Sequence, residues 1–198
     1  MKINNKGFSL VELIVVISIM GILIGVIIPS VNNLFGFEAQ KATGKITSLL
    51  DDTKVEAMNR LVGEMKLEYV EGKGYYITQY LDYGKETRET KGFVQETTKV
   101  ANNKVQIRYK LSNESSPVSM KEQPDKVLIL TYNRETGGFR LVQTDVITPE
   151  AVTNALLNGE EIPFLDGGGY CEWIEIKCGL RTRTIYLQTE IGSYIVES

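Results

Sequence analysis

Histidine is absent from this chain of 198 residues, and cysteine occurs only twice. The lack of histidine excludes the Ser-His and Cys-His nucleophile pairs and removes the commonest metal ligand. Two cysteines are too few for a structural zinc site or a disulfide framework. No nucleophile–base pair, P-loop or paired-carboxylate motif is present either. We therefore expect a protein that is not an enzyme and binds no cofactor, metal or small-molecule substrate.

An excess of basic residues is also missing. The chain has 22 Lys and Arg against 25 Asp and Glu, a formal net charge of −3, so it has no overall basic field that would recruit nucleic acid. The hydrophobic share of 42% and the charged share of 24% are typical of a globular protein and exclude a collagen-like or wholly disordered chain.

Charged residues are absent from positions 13–37. The stretch from Leu13 to Val31 has 19 residues and would form a helix about 28 Å long, close to the hydrocarbon thickness of about 30 Å. Lys2 and Lys6 precede it, and the positive-inside rule then leaves the N-terminus in the cytoplasm and exports the rest. The sequence thus predicts a single-pass protein of the cytoplasmic (inner) membrane.

Two ordinary interpretations fit this segment poorly. A cleaved secretory signal has an apolar core of about 7–15 residues and a small-residue cleavage site, whereas this run is longer and residues 29–34 contain no such site. A plain membrane anchor does not explain Glu12 at the edge of the apolar run. A carboxylate carried to the middle of a bilayer costs about 2.5–3.5 kcal/mol.

The run from Lys6 to Glu12, K-G-F-S-L-V-E, followed at once by the apolar stretch, resembles the prepilin cleavage and methylation motif of type IV pilins and pseudopilins. The resemblance implies that a prepilin peptidase cuts after Gly7 and that Phe8 becomes the N-methylated N-terminus. It also implies that Glu12 pairs with the terminal amine of a neighbouring subunit. Pro29 matches the proline that members of this family carry late in the segment.

Electrostatics supports a pairing role for Glu12. Removal of Lys2 and Lys6 with the leader leaves 20 basic against 25 acidic side chains and moves the formal charge from −3 to −5. The freed amine of Phe8 is then the only positive charge near Glu12, and opposite charges that enter lipid must neutralise each other. A simpler interpretation stays open, since an acid near a helix N-terminus is itself favourable by up to about 1 kcal/mol.

Gly21 and Gly25 form a G-x-x-x-G pattern, which allows helices to approach closely in membranes. Two glycines at this spacing are also common by chance. Both interpretations stay open.

The pattern divides the chain into four parts: a leader at 1–7, a transmembrane and assembly half of a helix at 8–31, an amphipathic half at 32–62, and a β-rich domain at 63–198. We expect one helix from about Phe8 to Val62, roughly 80 Å long, with Gly63 as its C-cap. The amphipathic half places one stripe of apolar and small residues at steps of three and four, comprising Ala39, Ala42, Ile46, Leu49, Thr53, Ala57 and Leu61.

Beyond Met65 the hydrophobic period changes to two, which predicts antiparallel strands. The predicted strands are Lys66–Glu71, Tyr75–Leu81, Lys104–Leu111, Val127–Tyr132, Phe139–Gln143, Tyr170–Lys177, Thr182–Thr189 and Ser193–Val196. Glycine turns are predicted at 72–74 and 136–138, and one short helix is predicted from Thr148 to Gly159. Loops are predicted at Asp82–Thr98 and Ser112–Asp125. The expected fold class is α+β, with one long helix packed on a β-sheet domain, the layout of pilins.

A narrower resemblance begins with the run D-D-T-K-V-E-A-M-N-R from Asp51 to Arg60 and continues at residues 65–67 and 75–77. These residues are similar to the H-type pseudopilins of type II secretion and to the fimbrial T (FimT-like) minor pilins. The resemblance covers about 30 residues and is degenerate.

Cys171 and Cys178 lie at the two ends of a predicted strand. Seven residues at about 3.3 Å each separate them by about 23 Å, whereas a disulfide needs Cα atoms within about 7 Å. We expect two buried free thiols on opposite faces unless the segment folds back on itself. The resemblance to pilins, many of which staple their C-terminal region, would instead imply a disulfide.

Lys177, Arg181 and Arg183 place three cations within seven residues. Some fimbrial T proteins carry a glycine-arginine-x-arginine element that contributes to DNA binding, but here Leu180 stands between Gly179 and Arg181. The three side chains are a candidate DNA contact, and solvated strand charges in an acidic protein are the favoured interpretation.

The expected function is that of a minor pilin or pseudopilin, a filament subunit whose partners are other subunits, a prepilin peptidase and, before assembly, the lipid bilayer. The alternative is a membrane-anchored extracytoplasmic binding module that acts without assembly. The sequence leaves open whether the machine is a pilus, a secretion pseudopilus or a DNA-uptake apparatus.

Overall fold

The computed structural model describes residues 9–82 and 92–198, and within helix α1 it leaves the side chains of residues 26–35 undescribed. The described residues form two helices and nine strands. Their bounds are α1 Leu10–Asn59, β1 Val62–Val70, β2 Gly74–Asp82, β3 Phe93–Ala101, β4 Gln106–Leu111, β5 Val118–Ser119, β6 Leu128–Thr131, α2 Pro149–Asn158, β7 Cys171–Cys178, β8 Arg181–Gln188 and β9 Ser193–Glu197.

The strands form two antiparallel sheets, and the second half of α1 packs on both of them. The first sheet has the order β3-β2-β1-β6 and the second the order β5-β4-β7-β8-β9. Side chains of the helix and of both sheets form one continuous hydrophobic core. The α+β layout of a long N-terminal helix on antiparallel sheets is therefore confirmed.

The buried face of α1 follows the predicted stripe with one shift. Ala39, Ala42, Ile46 and Ala57 are buried as expected, but Leu50 is fully buried and Leu49 only partly. Buried threonines on this face satisfy their hydroxyls within the helix, as Thr53 Oγ1 donates to the carbonyl of Leu49 at 2.6 Å.

The predicted C-cap at Gly63 is wrong. Helix α1 ends at Asn59, Arg60 caps it in an extended conformation, and Gly63 lies inside β1. A β-carbon at Gly63 would lie 2.5 Å from the backbone nitrogen of Ala57. The glycine is therefore needed for the close approach of strand to helix, and Leu61, which we expected on the helix stripe, lies beyond the helix end.

Most predicted strands are confirmed with boundaries shifted by a few residues, but three expectations are wrong. Part of the predicted loop Asp82–Thr98 is strand β3, while residues 83–91 of that loop lie outside the described residues. The predicted loop Ser112–Asp125 contains the short strand β5. The predicted strand Phe139–Gln143 is reduced to isolated bridges at its two ends.

The short helix and the two glycine turns are confirmed. The Thr148 hydroxyl accepts from the amide of Ala151 at 3.3 Å, Pro149 opens α2, and Gly159 closes it with φ of 67°. Gly74 and Gly137 adopt positive φ of 109° and 68° in the two turns.

Both cysteines are free and buried, as predicted, but they do not lie on opposite faces. Lys110 pairs with Trp173 while Leu111 pairs with Cys171, so Glu172 forms a bulge in β7. Because the bulge inserts Glu172 between them, Cys171 and Trp173 no longer follow the simple alternation, and Cys171 points to the buried face. Cys171 and Cys178 therefore belong to the same hydrophobic core.

In the part of the chain that the structure describes, no helix is both long enough and apolar enough to span a membrane. The transmembrane half predicted for residues 8–31 includes Phe8 and the side chains of residues 26–31, which lie outside the described residues.

Candidate functional site

The N-terminal end of α1 contains the residues that the sequence singles out for processing and assembly. Gly7 and Phe8 lie outside the described residues. Ser9 caps the helix, and its hydroxyl accepts from the amide of Glu12 at 3.2 Å. The Glu12 carboxylate in turn accepts from the amide of Ser9 at 3.0 Å, which completes a capping box. Glu12 therefore has a local structural role in addition to the pairing role that we predict.

From Leu13 to Ile24, helix α1 carries large apolar side chains on every side, and they are exposed. The large side chains from Leu10 to Ile24 are each about half exposed or more, with Leu10 at 75% and Ile22 at 69%. A helix that is hydrophobic all round is stable only when it is buried in lipid or in other protein. Among the described side chains of α1, those that the β domain buries begin at Ala39.

Gly21 and Gly25 are not required by packing against any other part of the chain that the structure describes. A β-carbon at Gly21 or at Gly25 would meet nothing within 4 Å. Helix α1 continues through Pro29 and is unbroken from Leu10 to Asn59.

The three predicted cations do not share one face. Every second side chain of a strand points to the same face of its sheet. Arg181 and Arg183 therefore share a face of β8 with Ile185 and Leu187, which are buried on the side of the sheet that carries α1. Lys177 follows buried Ile176 on β7 and points to the other side. Among the described residues no acid forms an ion pair with any of the three.

The two arginines border a cleft of about 630 Å³ between β8 and helix α1. The cleft is near the end of the domain closest to the uncharged run from Leu13 to Val31, which we call the apolar segment. A β-carbon at Gly36 would lie 3.4 Å from Cγ of Arg181, so the stem of this arginine rests on the helix backbone. Phe37 and Leu180 stand at the rim and are 62% and 83% exposed. The sequence interpretation missed this arrangement because nothing local connects residues 36–37 with residues 180–183.

The sequence interpretation also missed a buried acid at the opposite end of the domain. Glu64 on β1 is fully buried, and its Oε2 accepts from the amide of Ile147 at 2.8 Å. Burial raises the pKa of this carboxyl to about 7, against the lowering effects of the Ile147 amide and Arg140. A single glutamate near the start of an alternating strand gives no signal of such burial.

The described residues contain no group of three or more His, Cys, Asp or Glu side chains that could hold a metal ion. The sequence has no histidine, so any such group would consist of acids and the two cysteines.

Comparison with known proteins bears on the N-terminal segment. Comparison with curated proteins and with solved structures finds no match, and the likeness to H-type pseudopilins or fimbrial T proteins receives no support. Residues 2–28 match the family model of the prokaryotic N-terminal methylation motif. This match supports membership of the type IV pilin-like family, since the matched residues include the sequence from Lys6 to Glu12 and most of the apolar run.

Proposed function

We propose that this protein is a minor pilin or pseudopilin, a structural subunit of a type IV pilus, type II secretion or competence-type filament. A prepilin peptidase cuts the precursor after Gly7, and Phe8 is then N-methylated. Residues 8–31 span the inner membrane before assembly, with the N-terminus inside and the β domain outside. The mature subunit acts by assembly and not by catalysis.

The uncovered apolar half of α1 supports this proposal most directly. Its side chains from Leu10 to Ile24 have no partner in the β domain, and the hydrophobic effect favours covering them. Lipid covers them in the precursor, and the helices of other subunits cover them in a filament. Gly21 and Gly25, with open space around them in the single chain, let neighbouring helices approach.

Glu12 is the residue that selects the assembling neighbour in this proposal. Its carboxylate is at the exposed start of α1, and Glu12 follows the new N-terminal residue Phe8 by four positions in the sequence. The attraction between the two charges strengthens as water is removed. The bond from Glu12 to the Ser9 amide leaves the second carboxylate oxygen for an intermolecular partner.

Mass spectrometry of the protein purified from its own cells tests the processing step. A mature N-terminus at Phe8, with the mass of one added methyl group, is expected. Retention of residues 1–7 would contradict the proposal and favour the alternative, a binding module that stays on an uncut membrane anchor.

A further inference from the structure

The end of the β domain that faces the apolar segment can be identified from contacts along α1. Arg181, at the start of β8, lies against Gly36, whereas Lys54 donates to the carbonyl of Ile191, just beyond β8, at 2.8 Å. Strand β8 therefore runs along the helix from its residue 36 towards its residue 54. The turn between β7 and β8, which contains Leu180, is the part of the second sheet nearest the apolar segment.

Two other turns lie at this same end. Asn102, between β3 and β4, donates to the carboxylate of Glu38 at 2.9 Å. Tyr69, next to the β1–β2 turn, donates to the side chain of Asn103 at 2.7 Å. We call these three turns, together with α1 residues 36–41, the proximal end of the domain.

Charge is distributed unevenly between the proximal end and the opposite, distal end. The basic side chains at the proximal end or beside it are Lys41, Lys73, Lys104, Lys177, Arg181, Arg183 and Lys121, which donates to the carbonyl of Asn103. The acids there are Glu38, Glu71, Glu122 and Glu197, whose strand β9 pairs it with Thr184 of β8. The distal end has the acids Asp52, Glu56, Glu135, Asp145, Glu150, Glu160, Glu161 and Glu190, and the bases Lys54, Arg60, Arg134 and Arg140. A protein of net negative charge thus presents its basic end towards the apolar helix.

The position along the helix fits the surface of a bilayer. Phe37 lies six residues beyond Val31, about 9 Å at the helical rise of about 1.5 Å per residue. The polar layer on each side of the hydrocarbon is about 5–7 Å thick. Long arginine side chains reach across such a gap, with their stems on apolar surface and their charged heads among phosphates.

We propose that the proximal end docks on the surface of a bilayer that contains anionic phospholipid, with Arg181 and Arg183 binding headgroup phosphates and Phe37 and Leu180 entering the interface. The guanidinium groups suit phosphate because they form paired hydrogen bonds. An exposed aromatic and an exposed leucine beside them provide the apolar contacts that interfacial binding also uses. The acidic distal end is repelled by the same surface, so the charge distribution orients the domain.

This inference rests on the proposed membrane insertion of residues 8–31. It adds that the β domain of the inserted precursor is docked on the membrane surface before assembly. The docked domain would be held at the membrane and released when the subunit is extracted. Duplex DNA is the other polyanion that the arginines could bind. The bilayer is favoured because both arginines face α1 beside the apolar segment, while Lys177 points to the opposite side of the sheet.

The test uses the full precursor in vesicles with a single tryptophan at the proximal end. Trp173→Phe removes the only native tryptophan, and Leu180→Trp introduces the reporter. Lipids brominated near the headgroup quench a tryptophan that enters the interface. We expect strong quenching in mixed phosphatidylcholine–phosphatidylglycerol vesicles, weaker quenching in phosphatidylcholine alone, and a decrease on addition of salt.

Replacement of the arginines gives the decisive comparison. Arg181→Gln lowers the ratio of docked to undocked domain about fivefold, and the double change with Arg183→Gln lowers it about 25-fold. The matched control is Arg134→Gln, which removes an exposed arginine at the distal end and leaves quenching unchanged. Phe37→Trp in the Trp173→Phe background provides a second reporter if the Leu180→Trp chain fails to fold.

Three outcomes overturn the docking proposal. They are quenching independent of phosphatidylglycerol, quenching unaffected by the double arginine change, and binding of duplex DNA through these arginines without any quenching. An alkaline wash of the vesicles separates this proposal from the proposed function. A chain lost in the wash contradicts membrane insertion itself, whereas a chain that remains with its new tryptophan unquenched contradicts only the docking.

Discussion

The carboxylate of Glu64 and the amide of Ile147 are joined by a hydrogen bond of 2.8 Å that links strand β1 to the segment before helix α2. The second carboxylate oxygen is buried and has no hydrogen-bond partner among the described residues. Protonation removes the cost of a buried charge, which is why burial raises the pKa of this group to about 7. The bond therefore fixes the α2 segment through a group that titrates near neutral pH.

The first prediction concerns stability against pH. Between about pH 4.5 and pH 7, the folded chain keeps a proton on Glu64 that the unfolded chain has lost. The free energy of unfolding therefore falls across this interval, by about 3 kcal/mol in total, and levels off above it. Glu64→Gln keeps an acceptor for Ile147 without the charge. It should abolish this decrease and make the protein more stable than the wild type above pH 7.

Urea unfolding at a series of pH values, followed by the fluorescence of Trp173, measures this effect. Glu122→Gln, which removes an exposed acid, is the control and should leave the profile unchanged. The prediction is wrong if the free energy of unfolding of the wild type stays constant or rises between about pH 4.5 and pH 7 and if Glu64→Gln shows the same pH dependence. Such a result would rule out a buried Glu64 that titrates in this range.

The second prediction concerns the junction of α1 and β1. Gly63→Ala places a β-carbon 2.5 Å from the backbone nitrogen of Ala57, which no rotamer change relieves. We expect a loss of about 1–3 kcal/mol of unfolding free energy from overpacking. Gly44→Ala is the matched control, because its β-carbon meets nothing within 4 Å. Helix propensity should make that change neutral or stabilising by up to about 1 kcal/mol. Equal effects of the two changes on thermal unfolding would contradict the close approach.

The third prediction concerns the two thiols. Cys171 and Cys178 are 3% and 1% exposed, and burial raises the pKa of both thiols, so neither forms an accessible thiolate at neutral pH. A thiol-specific chromogenic reagent should leave the native protein unmodified and react with two thiols per chain after denaturation without reductant. Rapid reaction of the native protein would contradict the burial, and absence of reaction after denaturation would reveal a disulfide.

The fourth prediction separates the two roles of Glu12. Glu12→Ala removes the capping box and the charge, whereas Glu12→Gln removes the charge and retains an acceptor for the Ser9 amide. If charge pairing selects the subunit, both variants insert into the membrane normally, and both are depleted from sheared or purified filaments. Normal incorporation of Glu12→Gln alongside a defect of Glu12→Ala would show that capping is the role that matters.

The sequence predicted those parts of the structure that local chemistry determines. The α2 helix was found from its threonine cap, its proline at the first position and its closing glycine, all of which act within one turn. The second half of α1 was found from its apolar stripe. The N-terminal motif was recognisable for the same reason, because all of its residues lie within a single short run.

The features that the sequence did not predict depend on contacts between distant segments. Strand β3 is an edge strand with only Val100 and Ala101 buried, so it lacks the apolar alternation that identifies a strand. The bulge at Glu172 depends on pairing with β4, and it moved Cys171 to the face opposite to the expected one. The burial of Glu64 depends on Ile147, 83 residues away in the sequence.

Helix α1 lies lengthwise along the domain and is held on both flanks by lysine amines. Lys45 donates to the carbonyl of Lys99 on β3 at 2.6 Å, and Lys54 donates to the carbonyl of Ile191 beyond β8 at 2.8 Å. A pulling force applied to the apolar half of the helix therefore acts parallel to the interface between α1 and the sheets. Contacts under such a shearing force share the load and must break together, whereas contacts that are peeled apart break one after another. The packing that covers the apolar stripe therefore also allows a force to be transmitted from the helix to the β domain without pulling the two apart.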